Sequence, residues 1–294
     1  MEKELSVIVP LTRMSGRLSE ISTWLEKLPQ RDLQVLIVHD IQDQNTSLEL
    51  KSLINSCADS RIVLFEREFG SPGNARNYGL ENAKSKWVIF VDSDDIVNLS
   101  EVFSIIDHHD GISSALVGQY EIRDRETNQV FKNVSNSDPK LDIAINPGIW
   151  RIIFLREWIS KLKFSTSLMG EDQLFLLDLG IFAAKIQFFN EVIYTYYKNS
   201  SGQLTHNKDA VRQLSLIIPK TLYHLKNSEK SQRRYVSMML LRQLLTQAKN
   251  LEKKTSLNWL ALFYLEIKSI SLKNCVNLGI SALQLAAHKG SNAR

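Results

Sequence analysis

Cysteine is almost missing. The 294 residues include two, Cys57 and Cys275, far apart and in no metal-binding spacing. That excludes a disulfide-stapled scaffold, argues against a structural zinc centre and fits a reducing compartment. Proline and glycine are also few, at 6 and 12, beside 44% hydrophobic and 23% charged residues, which excludes collagen-like and disordered classes. Long apolar runs are lacking. The longest uncharged stretches, 255–265 and 274–288, fall short of the ~20 residues of a membrane span. The opening "MEKELSVIVP" has an apolar run of five that ends at a proline, unlike a signal peptide. The expected location is the cytoplasm.

Charge is unevenly spread. From residue 207 onward 15 Lys and Arg face 4 Asp and Glu, which puts that stretch at +11 and the first 206 residues at −7 within a total of +4. Two readings fit the tail: a solvated helical face, or a basic surface that meets anionic lipid or phosphate. Its segments "LSLIIPKTLYHL", "YVSMMLLRQLLTQAKNL", "LNWLALFYLEIKSISL" and "VNLGISALQLAAH" carry apolar stripes with basic flanks. They predict a helical bundle, packed on the rest of the chain or on a second copy, with peripheral membrane contact as an addition. Basic and aromatic residues are not interleaved as a nucleic-acid stacking platform needs.

The first 125 residues alternate strand and helix signals. "LSVIVP" (5–10), "LQVLIVH" (33–39), "RIVLFE" (61–66) and "KWVIFV" (86–91) read as buried strands, with helical spacing over 16–28 and 45–58 between them. This predicts βαβ units, hence an α/β fold with a mainly parallel sheet covered on both faces and ligands beyond the strands' carboxyl ends. Further on, 112–124 reads as a strand and 126–133 as a turn into a short hairpin arm. The stretch 134–147 reads as a surface loop, 149–161 and 170–182 as helices, and 187–197 as two strands with a turn near Asn190-Glu191. The chain is helical in pattern from about 208 to its end. The expected division is 1–206 and 207–294.

The sharpest local signal is "KWVIFVDSDD", an apolar run that ends in Asp92, Asp94 and Asp95. Carboxylates so crowded repel one another and resist desolvation. Hard oxygen ligands in this spacing suit Mg²⁺ or Mn²⁺, which take one or two carboxylates plus substrate phosphates. The plainer reading is an acidic helix start, with Asp94 or Asp95 capping residues 98–107. Before it, in "SPGNARNYGLENAK", Ser71 suits an N-cap and Pro72 a first helical turn. Ala75, Gly79 and Ala83 make a small face for close packing. The helix start offers free N–H groups to an anion, with Gly73 leaving room and Arg76 within reach. "DHHD" (107–110) reads as helix-end chemistry, because adjacent histidines diverge.

"SVIVP", "VLIVHD", "SPGNARNYGLENAKSKWVIFVDSDD" and "MGEDQLF" together resemble the family 2 glycosyltransferases of GT-A fold, over roughly residues 4–206. The resemblance implies a metal-dependent, inverting enzyme that uses a nucleotide-sugar, and the helical pattern from about 208 onward then makes a C-terminal helical extension beyond the GT-A domain. It implies that Pro10 and Thr12 line a nucleoside pocket and that Asp40 accepts a hydrogen bond from the base, most naturally uracil. Gly73, Arg76, Asp92 and Ser93 would lie by the nucleotide. Asp92 and Asp94 would form the metal-binding DxD, and Asp172 would be the catalytic base. Glu171 is the rival for that role or an acceptor contact, and Thr205 and His206 would reach the diphosphate. The chain departs from the family's Asp-Asp-Gly-Ser at His39-Asp40-Ile41-Gln42, and has Leu11-Thr12 where Tyr-Asn is common. Family analogy points to a glycan or lipid-linked glycan acceptor in surface polysaccharide synthesis. A non-catalytic nucleotide-sugar binder and a nucleotidyltransferase are the alternatives. For the latter, "PLTRMSGR" is a poor match to the expected glycine-rich basic loop.

Overall fold

The computed structural model describes residues 4–42, 44–132, 138–198 and 207–250, which fall into two compact units. The first takes in the chain to residue 132 together with 148–168 and 184–198; the second takes in 138–147, 169–183 and 207–250.

In the first unit the expected alternation is present. Strands β1 (Leu5–Leu11), β2 (Leu33–Asp40), β3 (Ile62–Arg67) and β4 (Trp87–Phe90) lie parallel in the order β3-β2-β1-β4, with Val7 opposite both Val35 and Ile89. Helices α1 (Ser19–Leu25), α2 (Gln44–Cys57) and α3 (Pro72–Asn82) connect them. Every residue of β2 and β4 is buried, as a strand covered on both faces requires. The chain moves from β1 outward to β3, then returns to place β4 on the other side of β1. The strand order therefore reverses between β1 and β4, and open α/β sheets bind ligands beyond the strand ends at such a reversal.

The sheet continues through β5 (Ile96–Val97), β6 (Ala115–Asp124), β7 (Val130–Lys132), β8 (Ile152–Leu155) and β9 (Ile186–Lys198) in the order β4-β8-β6-β9-β5, with β7 hairpinned to β6. Helix α4 (Leu99–Asp107) follows β5. Two expectations fail here. Residues 149–161 do not form one helix: a 3-10 turn (Ile149–Arg151), strand β8 and the short helix α6 (Arg156–Ile159) share that span. Ile152, Ile153 and Phe154 are fully buried between antiparallel partners β4 and β6, and such a short apolar run has no period to tell strand from helix. Residues 187–197 are not a hairpin either. They belong to one strand, β9, parallel to β6, in which Phe188 faces Val117 and Val192 faces Gln119. Four steps on β9 match two on β6, so Asn190 and Glu191 bulge outward instead of reversing the chain.

The second unit is helical: α5 (Pro139–Ile145), α7 (Glu171–Asp178), α8 (Lys208–Asn227) and α9 (Arg233–Asn250). Helix α5 takes up part of the surface loop expected over 134–147, of which residues 134–137 lie outside the described residues. Asp138 caps it by accepting from the Leu141 N–H, Pro139 starts it, and Leu141, Ile143, Ala144 and Ile145 are buried. Gly170 precedes α7 at φ 85°, and a Cβ there would come 3.0 Å from Leu214 of α8, so glycine allows both the turn and the close approach. No helix among the described residues is long and apolar enough to cross a membrane. The tail segments beyond residue 250 lie outside the described residues.

The small face of α3 has the expected use. Ala75 and Ala83 are buried, and a Cβ on Gly79 would stand 2.4 Å from Ile8 Cγ2 in β1. Gly79→Val should overpack this contact and destabilise the protein by about 1–3 kcal/mol, read as a lower urea midpoint at unchanged m-value. An unchanged midpoint would show that the contact does not set the distance between α3 and β1.

Candidate functional site at the carboxyl ends of β1, β2 and β4

Past Phe90 the chain makes one more sheet bond, Val91 N–H to Ile8 C=O at 2.9 Å, and then turns. The turn is closed by Asp95 N–H to Asp92 C=O at 3.2 Å and is gripped by β9. The Tyr194 hydroxyl accepts from the Asp92 N–H at 3.1 Å and donates to Asp95 Oδ2 at 2.9 Å, while Tyr197 N–H donates to Asp95 Oδ1 at 2.7 Å. Asp95 is 1% exposed. It caps no helix: Asn98 caps α4 by accepting from Glu101 N–H. The expectation that Asp94 or Asp95 would cap residues 98–107 is thus corrected, because the helix starts three residues further on, with β5 in between.

With Asp95 locked inside, Asp92, Ser93 and Asp94 form the half-buried tip. Arg76, from the second turn of α3 and 6% exposed, donates to Asp92 Oδ1 at 2.9 Å. Arg125 donates to the Asp94 C=O at 2.9 Å and pairs with Glu20 at 2.6 Å. Burial, and after it the Asp92 charge, push the Asp94 carboxyl up to about 6 against the pull of Arg125 and Arg17. Burial, then Asp94 and Asp92, push Asp95 far up as well. Both shifts disfavour the ionised carboxyls, and a cation at the tip would counter them.

On the other side of β1, Asp40 ends β2. Its carboxylate accepts from Phe69 N–H at 2.7 Å and Gly70 N–H at 3.1 Å, and its C=O accepts from Thr12 Oγ1 at 3.1 Å. Asp40 thus ties the loop before α3 to the ends of β1 and β2. Pro10 lies in β1 opposite Val38. Ser71 caps α3 as expected, accepting from Asn74 N–H at 3.2 Å. Gly73 does not leave room for a ligand at its α-carbon: a Cβ there would stand 2.1 Å from the Ser165 carbonyl oxygen, so the space is taken by protein. Asn77 fastens that segment, bonding Phe164 N–H at 2.7 Å and Phe164 C=O at 3.0 Å.

His39, where the family pattern has its first Asp, is fully buried, with Nδ1 3.4 Å from both Glu66 and Ser47. Trp150 is stacked 4.5 Å from Tyr194 and 5.9 Å from Tyr196, so it braces the tyrosine that grips the turn.

Pro10, Thr12, Asp40, Gly73, Arg76, Asp92, Ser93 and Asp94 all lie at this end of the first unit's sheet. Glu171 and Asp172 belong to the second unit, in the first turn of α7; Glu171 is buried and Asp172 half-buried. Thr205 and His206 lie outside the described residues. Sequence reasoning missed Tyr194 and Arg125. Tyr194 carried a faint signal as a tyrosine in an apolar strand, where a buried hydroxyl needs a partner.

For a divalent cation the donor set is adequate. Among the described residues no three His, Cys, Asp or Glu side chains form a ready cluster. Mg²⁺ and Mn²⁺ sites beside phosphates need only one or two carboxylates, and the crowded oxygens of Asp92 and Asp94 favour a positive partner. Tyr194→Phe removes a donor from buried Asp95 and an acceptor from Asp92 N–H. It should cost about 1–3 kcal/mol in urea unfolding, whereas an unchanged stability would show that the hydroxyl does not hold the turn.

Poly(ribitol-phosphate) beta-N-acetylglucosaminyltransferase TarS of Staphylococcus aureus is 27% identical over 213 residues, covering 68% of this chain and 36% of TarS. Glycosyltransferase GlyG of Streptococcus pneumoniae is 22% identical over 224 residues, covering 69% of this chain and 73% of GlyG. The chain thus spans about a third of TarS. The solved structure of TarS residues 1–349 in complex with UDP-GlcNAc superposes with a TM-score of 0.68 at 19% identity, covering 92% of this chain and 82% of that one. A Pyrobaculum calidifontis mannosyltransferase in complex with GDP-Man and Mn²⁺ gives 0.62 at 15% identity, covering 97% and 81%. These likenesses show the GT-A fold. The sequence profile of glycosyl transferase family 2 matches residues 6–165, across the strand-order reversal and the acidic turn, and the chain belongs to that family.

Proposed function

We propose that the protein is a metal-dependent, inverting glycosyltransferase that moves a sugar from a UDP-sugar to a hydroxyl of a surface glycan or its lipid-linked precursor. The observation that carries this is the acidic turn: Asp92 and Asp94 crowd at the strand-order reversal, held from behind by Tyr194 and faced by Arg76. The complex of TarS with UDP-GlcNAc supports the choice of donor. The poly(ribitol-phosphate) acceptors in the names of TarS and of a Bacillus spizizenii beta-glucosyltransferase, 25% identical over 218 residues, support a polymer hydroxyl as acceptor.

In this reading Pro10, Thr12 and Asp40 border the nucleoside, and Asp40, whose carboxylate already accepts from two backbone N–H groups and from the Gln42 amide at 3.4 Å, presents a remaining lone pair to the base. Arg76, beside Asp92, orients the diphosphate. Mn²⁺ or Mg²⁺, held by Asp92 and Asp94, would supply charge stabilisation for the leaving diphosphate. Asp172 takes the proton of the acceptor hydroxyl as that oxygen attacks the anomeric carbon from the face opposite the departing phosphate. One displacement inverts the anomeric centre. Glu171 is buried in the second unit, which favours the half-buried Asp172 as base. Because His39 is buried, the departure from the family's Asp-Asp pattern is absorbed inside the protein, which supports a catalytic reading over a purely binding one. For the membrane, the exposed face of α8 sets Leu216 and Tyr223, 60% and 66% exposed, beside Arg212 and Lys220, a composition suited to an anionic lipid surface.

Thermal unfolding with UDP, GDP and ADP, with and without Mn²⁺, tests the site. UDP with Mn²⁺ should raise Tm most, and Asp94→Asn should remove the metal-dependent part. Asp172→Asn should keep that stabilisation and lower sugar transfer by ~10²–10⁴-fold. Full turnover by Asp172→Asn would sink its assignment as base, and a UDP response indifferent to Mn²⁺ would sink the metal.

A further inference from the structure

A cleft of about 480 Å³ opens in the first unit between α1, β5, the first turn of α4 and β9. None of the residues assigned above to donor or metal lines it. We propose that it is a second ligand site, for a disaccharide-sized segment of a glycan chain.

Its walls carry the groups that recognise hydroxyls. Glu121 accepts from Thr195 Oγ1 and from Arg123 through one oxygen, and its other oxygen has no partner among the described residues. Asn98 uses its carbonyl to cap α4, which leaves its amide N–H₂ for a ligand. Ser100 and Lys27 are exposed at the cleft, and Lys27 forms no ion pair among the described residues. Trp24 is 4% exposed, and its indole N–H, buried in the wall, meets no acceptor among the described residues. Val192, 42% exposed, and Ile96 offer an apolar surface to the C–H face of a sugar ring. A carboxylate and an ammonium in one cleft favour neither an anion nor a cation, whereas a neutral polyol uses both. The volume lies within the range of small-molecule sites, ~300–1,000 Å³.

The cleft is joined to the acidic turn through Tyr194, besides the chain itself at Ile96. Tyr194 lines it, and the hydroxyl of the same side chain holds Asp92 N–H and Asp95. A bound saccharide would brace the turn, and coupling between two sites is reciprocal.

The test follows the indole ¹H–¹⁵N resonance of Trp24, identified by its loss in Trp24→Phe, in the full chain. It is titrated with the N-acetylglucosamine disaccharide, cellobiose and inorganic phosphate, each with and without UDP and Mn²⁺. At least one disaccharide should move the resonance saturably in both conditions. Ser100→Trp, which fills the cleft from its mouth, and Glu121→Gln, which removes the acceptor, should each weaken that binding by about tenfold or more at unchanged Tm. Movement by phosphate alone, displacement of the saccharide by UDP, or no movement at all would overturn the proposal. If UDP fails to bind while the disaccharide titration holds, the transferase reading falls and the cleft stands.

Discussion

The arrangement of the candidate site depends on burying one carboxylate. Asp95 sits inside the protein with two donors, the Tyr194 hydroxyl and the Tyr197 N–H, and that pair of bonds stops the chain after β4 and forces it to turn. Burying a carboxyl is costly unless it is hydrogen-bonded, so the position and rotamer of Tyr194 are not free to vary. The same hydroxyl accepts from Asp92 N–H, which fixes where the next two carboxylates emerge. Asp92 and Asp94 are crowded because Asp95 is anchored.

That anchor has to come from far away in the chain. Tyr194 is 102 residues beyond Asp92, and it arrives because β9 runs beside β6 along almost its whole length. Two register shifts, one at Asn190 and Glu191 and a second between Val192 and Tyr194, bring Tyr194 opposite Tyr120. Trp150 then stacks on Tyr194 and meets Tyr120 edge-on at 4.7 Å, which removes the room the tyrosine would need to swing away. Strand pairing, bulge and aromatic stack act on one hydroxyl.

What could be read from the sequence follows from the range of the interactions. Strands β1, β2 and β4 were legible because a buried parallel strand is a continuous apolar run. The cap at Ser71, the first-turn Pro72 and the small face of α3 were legible because each is set by neighbours a few residues away. The acidic turn was legible as an electrostatic problem, since three acids in four positions need an answer whatever surrounds them. Tyr194 was not, because nothing local tells a gripping tyrosine from its packed neighbours at 196 and 197. Strand β8 was misread for want of a period, and the bulge in β9 because Asn-Glu between apolar runs also suits a turn. Helix α5 is different in kind: Asp138-Pro139 ahead of Leu141, Ile143 and Ile145 is a local start signal, outweighed in the reading by the polar residues before it.

The two acids at strand ends, Asp40 and Asp92, show how a shared fold tolerates changes in motif. Asp40 holds two backbone N–H groups of the loop that leads into α3, and Asp92 takes the guanidinium of Arg76 from α3 itself. Helix α3 is therefore fastened to the sheet from both sides of β1 by carboxylates at the strands' carboxyl ends. Replacing the residue before Asp40 by histidine leaves this fastening intact, because His39 points inward to Glu66 and Ser47 and its alternation along β2 puts it on the opposite face from Asp40. A change at Asp40 itself would loosen the loop, the start of α3 and through Arg76 the acidic turn together. The tolerance of the one position and the constraint on the other both follow from the two-residue period of a strand.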